Sequence, residues 1–78
     1  MGKLEQISYS QIGRMGINIL LAKIDNLEVD EGLIILNFSD YQKMRELTMK
    51  IETHLSEREI FRRVADENNL TYTIKRIR

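Results

Sequence analysis

Apolar positions along the chain switch between two periods. Ile12, Met15, Ile19 and Lys23 recur at helical spacing, and Ile17, Leu20, Leu21 and Ile24 widen the apolar face beside them. Ser8-Tyr9-Ser10 precedes this stretch, and a serine hydroxyl there can accept from the free N–H groups of a first helical turn. Gly13 and Gly16 each cost a helix about 1 kcal/mol relative to alanine, so the helix starts either at the serines or after Gly13. Asp25-Asn26 ends it. Leu27-Glu28-Val29 then alternates like a short strand, and Asp30-Glu31-Gly32 supplies a tight turn with Gly32 at a positive-φ position. Leu33-Ile34-Ile35-Leu36-Asn37-Phe38 follows as a nearly continuous apolar strand, suited to the centre of a sheet. Residues 27–38 are thus expected to form a hairpin.

Ser39-Asp40-Tyr41-Gln42 matches the capping box, and Tyr41, Met44, Leu47, Thr48, Ile51 and Leu55 form a helical stripe after it. A second box, Ser56-Glu57-Arg58-Glu59, predicts a new helix that buries Ile60, Phe61, Val64 and Ala65. Asn68-Asn69 reads as its stop, and residues 70–77 read as a closing strand rich in β formers. The expected order is α-β-β-α-α-β: a small two-layer α+β domain, its three-stranded sheet covered by helices on one face. There is no proline and no Gly/Ser linker. Residues 1–9 read as an N-terminal extension and 10–78 as a single α+β domain, an excised piece of a larger protein.

Composition narrows the function classes. The chain has 78 residues, 42% of them hydrophobic, which suffices for one small core. Twelve basic residues balance twelve acidic ones, so net charge gives no general argument for a polyanion ligand. Cysteine is absent, which excludes disulfides, thiolate zinc sites and thiol catalysis. The apolar run at Ile19-Leu20-Leu21-Ala22 is far below the ~20 residues of a membrane span, and no signal-peptide pattern follows Met1. A cytoplasmic protein with no membrane partner is expected.

Few residues offer chemistry. The single histidine, His54, has no histidine or cysteine partner at metal-ligand spacing and reads as a helix-end residue favoured by the macrodipole. Asp25, Glu28, Asp30, Glu31 and Asp40 fail the calcium-loop spacing and read as a solvated hairpin edge. Neither a G-x-S-x-G elbow nor a G-x-x-x-x-G-K-[ST] loop occurs, so neither catalysis nor a cofactor is expected. Gly13-Arg14-Met15-Gly16 is a G-x-x-G segment entering a helix, the pattern with which KH domains let backbone N–H groups approach phosphates. The carboxyl end is basic, with Arg58, Arg62, Arg63, Lys75, Arg76 and Arg78 interleaved with Phe61 and Tyr72. Cations with stacking rings suit nucleic acid, and the same surface suits a protein partner. Gly13, Arg14, Gly16, Arg62, Arg63, Lys75 and Arg76 are therefore the candidate binding residues.

The helix at Ile17 to Leu21, the turn Asp30-Glu31-Gly32, the strand to Phe38, the paired helices from Leu55 through Val64 and the strand Tyr72 to Ile77 form a series. It resembles the KH-like module that follows the clamp-loader core in the gamma/tau subunit of bacterial DNA polymerase III, over about residues 10–77. That family often carries a tryptophan in a preceding helix, where this chain has only Tyr9. The resemblance implies a non-catalytic protein-interaction module in DNA replication, with clamp-loader or other replisome proteins as partners and ATP hydrolysis done elsewhere. A KH-like binder of RNA or single-stranded DNA is the alternative, with Gly13 to Gly16 on the phosphates.

Overall fold

A computed structural model describes residues 3–78. Its elements are β1 (Leu4–Ser8), α1 (Tyr9–Met15), α2 (Ile17–Asp25), β2 (Gly32–Leu36), α3 (Tyr41–Leu55), β3 (Phe61–Asp66) and β4 (Thr71–Arg76). The four strands form one mixed sheet in the order β1-β2-β4-β3. β1 runs parallel to β2, and β4 lies antiparallel between β2 and β3.

The expected three-stranded sheet and α-β-β-α-α-β order are therefore not what the chain adopts. The α+β character holds, but among the described residues there are four strands and three differently placed helices. Three local causes account for the difference. Leu4–Ser8, inside the stretch read as an extension, pairs residue for residue with Gly32–Leu36. Only Ile7 of β1 is buried, so the strand carries almost no apolar alternation and is held by its ladder.

Residues 27–31 form a turn instead of a strand. Glu31 caps the Glu28 N–H through its carboxylate at 2.8 Å, and the Arg76 guanidinium donates to the Leu27 carbonyl at 2.7 Å. No hairpin spans 27–38, and the positive φ falls on Asp30, at 72°, instead of Gly32. Gly32 is needed for space: a Cβ there would lie 2.8 Å from the Ile74 carbonyl oxygen of the neighbouring strand.

Phe61–Asp66, expected as a helix face, is strand β3. A six-residue run fits either period, and an adjacent strand offering a ladder decides it. Asn68-Asn69 is the β3–β4 turn. The Asp66 carboxylate accepts both Asn68 and Asn69 N–H groups, at 3.0 and 3.1 Å.

The caps follow the sequence more closely. Ser8 closes a capping box with Gln11 at the start of α1, and Asp40, next to the expected Ser39, accepts from the Lys43 N–H at 2.9 Å. One core joins both layers: Ile12, Leu20, Ile24, Met44, Leu47, Ile51 and Leu55 from the helices meet Ile7, Leu33, Ile35, Phe61, Tyr72 and Ile74 from the sheet. Alternate strand positions such as Gln6, Ile34, Thr73 and Val64, in register across the sheet, face away from the helices.

Candidate functional site

The sequence-derived candidates do not converge. Gly13 lies within α1, exposed and with open space where a Cβ would be. Arg14 is exposed in the last turn of the same helix. Gly16 links α1 to α2 at φ 92° and ψ 150°, a conformation essentially reserved for glycine. Its N–H ends α1 on the Ile12 carbonyl at 2.8 Å, and its carbonyl accepts from Leu20 at 3.3 Å to start α2. The G-x-x-G segment is thus a helix break with one glycine in the loop, and not an open phosphate cradle.

Two of the four basic candidates at the carboxyl end are already engaged. Arg63 projects to the helix layer, pairs with Glu52 of α3 and donates to the Arg58 carbonyl at 3.1 Å. Arg76 holds the Leu27 turn. Arg62 and Lys75 face each other across β3 and β4 on the helix-free side of the sheet, a layer away from Gly16. Phe61 and Tyr72 are both buried on the helix side, so no ring stands beside these cations to stack on a base.

Two polar clusters tie elements together, one between α2, α3 and the loop after α3, the other between α3 and β4. Asp25, ending α2, accepts from the Arg58 guanidinium at 2.8 Å and meets His54 Nε2 of α3 at 2.9 Å. Partial burial pushes the Asp25 carboxyl up, but hydrogen bonds and charge from His54 and Arg58 outweigh this and hold it below the usual value of 3.8. The Tyr72 hydroxyl donates to Glu52 at 2.6 Å, and burial, reinforced by that carboxylate, drives its ionisation well above the ordinary range. Among the described residues no three acidic or histidine side chains converge as metal ligands.

What the fold does assemble is a cleft of 780 Å³ between α2 and the free edge of β1. Ile19, Ala22, Lys23 and Asn26 line it from α2, Leu4 and Glu5 from β1, and Leu27 and Leu33 from the interior. Ile19 is 54% exposed on the α2 wall. Leu4 is equally exposed, but its side chain lies over Gly32 on the helix-free face of the sheet, and the β1 residue that turns toward α2 is Glu5. Lys23 and Glu5 form an exposed ion pair at 3.3 Å, a contact weak enough to part for a ligand.

The β1 edge supplies hydrogen bonding along the cleft. Gly32 donates its N–H to the Lys3 carbonyl, so the alternation of the strand turns the backbone groups of Leu4 and Gln6 away from β2, toward the open edge. An apolar α2 wall beside edge-facing backbone donors and acceptors can bind an extended segment. The sequence pattern puts Ile19 on the apolar stripe of the helix and Leu4 in the N-terminal extension, so neither stands out as a binding residue. The available signal was the breadth of apolar residues on α2, where Ile17, Ile19, Leu20, Leu21, Ala22 and Ile24 exceed one buried face.

Comparison with family models, curated proteins and solved structures found no significant match.

Proposed function

We propose that this chain is a non-catalytic protein-interaction module that takes an extended peptide segment of a partner protein along the β1 edge, beside α2. The reading is carried by one observation: a 780 Å³ cleft with exposed Ile19 on its α2 wall opens beside the start of β1, whose outer edge is unpaired among the described residues. Strand addition at such an edge gains affinity from main-chain hydrogen bonds, and alternate side chains of the guest enter the apolar cleft. The bacterial clamp-loader setting rested on a hairpin and paired helices that this chain does not form, so the proposal is drawn at the level of a protein-binding module. The nucleic-acid reading loses its stacking rings to the core and two of its cations to structural contacts.

Selection from a displayed peptide library tests the proposal. Enriched peptides are expected to alternate apolar and polar residues, and Ile19→Glu, at an exposed position, weakens their binding by about tenfold or more without changing the thermal melt. Failure to enrich any sequence, or peptides that bind Ile19→Glu as tightly as the parent, counts against it.

A further inference from the structure

The opposite edge of the sheet carries a second, independent message. Among the described residues β3 has a neighbour on one side only. The Ile77 N–H donates to the Ile60 carbonyl at 2.8 Å, which sets the alternation of the antiparallel ladder. Arg62, Val64 and Asp66 therefore bond toward β4, while the backbone groups of Phe61, Arg63 and Ala65 turn to the free edge. Side chains alternate in the other sense: Arg62, Val64 and Asp66 share the helix-free face, and Val64 is 53% exposed there.

Along that face the strand reads basic, apolar, acidic. Such a sequence is complementary to itself when reversed. A two-fold axis beside Val64 sets Val64 against its own copy, Arg62 against Asp66 of the other chain and Asp66 against that chain's Arg62. In the same register Arg63 and Ala65 of the two copies face each other with their free N–H and carbonyl groups. A shift by one residue would put helix-side residues opposite open-face residues, and a shift by two would lose both Arg–Asp pairs. Asp66 is already held in position by Asn68 and Asn69, its Oδ2 accepting from Asn69 Nδ2 at 2.9 Å, and a carboxylate keeps acceptor capacity beyond these bonds.

We infer that β3 is a homodimer edge, pairing antiparallel with β3 of a second copy to give a continuous eight-stranded sheet with all helices on one face. The occupant is this chain because the charge order along one strand matches itself in reverse. This surface lies at the far edge of the sheet from the β1 cleft, so dimerisation and peptide capture are separable.

The natural chain lacks cysteine, which makes the register directly readable. Opposed Val64 residues would form a non-hydrogen-bonded pair with Cα atoms about 4.5 Å apart, inside the range a disulfide spans. Val64→Cys is therefore expected to cross-link into a dimer under mild oxidation, whereas Met49→Cys, at an exposed position on α3, is not. In sedimentation equilibrium the unmodified chain is expected to dimerise with an affinity that falls as salt rises. Arg62→Glu weakens this by about tenfold, because the exchange is made twice by symmetry. Ala65→Pro removes only an edge-facing donor and is expected to leave a folded monomer. A chain that sediments as a monomer at every concentration overturns the inference. So does cross-linking of Val64→Cys no faster than Met49→Cys, or an Arg62→Glu variant with undiminished association and an unchanged circular dichroism spectrum.

Discussion

Gly13, Gly16 and Gly32 sit in three different environments, and substitution to alanine separates them. Gly13 sits in an exposed helix interior with nothing near its missing Cβ, so Gly13→Ala is expected to stabilise by about 0.5–1 kcal/mol. Gly16 occupies φ 92°, and Gly16→Ala is expected to cost about 1–3 kcal/mol in backbone strain. Gly32→Ala forces a methyl group to within 2.8 Å of a backbone oxygen, and overpacking of that kind costs about 1–3 kcal/mol. Urea titrations of the three variants give the signs directly, and a stabilising Gly16→Ala contradicts the strain at the α1–α2 link. Asp25 makes a prediction in pH. Its carboxyl is held below 3.8 in the folded chain, so its contribution is complete above that value and is lost as acid protonates the folded state. The side chain is 37% exposed, which limits the contribution to about 1 kcal/mol or less. The stability gap between the parent and Asp25→Asn is expected to close below about pH 4; a gap of constant size down to pH 2 would show that the ion pairs contribute nothing.

Among the elements, α3, β2 and β4 are legible from residue order alone, because each carries a sustained stripe or run of apolar residues with a recognisable cap or turn beside it. β1 and β3 are not. β1 buries only Ile7, and β3 offers Phe61, Val64 and Ala65 at spacings that suit a helix as well as a strand. Their structure is decided by the strands beside them, whose unpaired backbone groups they satisfy. Ile7 is consequently the side chain that anchors β1 to the core. Ile7→Ala is expected to destabilise by about 2–5 kcal/mol, with early loss of amide protection along Leu4–Ser8 in hydrogen exchange. Equal protection in the variant and the parent would mean that the β1–β2 ladder holds without that anchor.

For the whole molecule, a radius of gyration of 11.6 Å matches the roughly 11.5 Å of a well-packed chain this long. A core this small leaves stability thin, so single polar ties between layers count. The Tyr72 hydroxyl on Glu52 joins β4 to α3 at the margin of the core. Tyr72→Phe is expected to cost about 1 kcal/mol. Because the folded state raises the ionisation of this phenol, its contribution is complete below the unfolded value near 10 and is lost as pH rises beyond it. The parent is expected to lose stability above pH 10 more steeply than Tyr72→Phe; parallel alkaline limbs would refute the coupling. Residue order by itself determined the α+β character, the α3 stripe, the strands β2 and β4 and the absence of thiol chemistry, since each depends on local periodicity or on composition. Only the tertiary structure decided which strands are neighbours, which cations are engaged and where apolar surface stays open. Those outcomes depend on contacts between residues distant in sequence: Leu4–Ser8 meets Gly32–Leu36, and Arg76 reaches back to Leu27. No periodicity within a single segment records the partner that satisfies it.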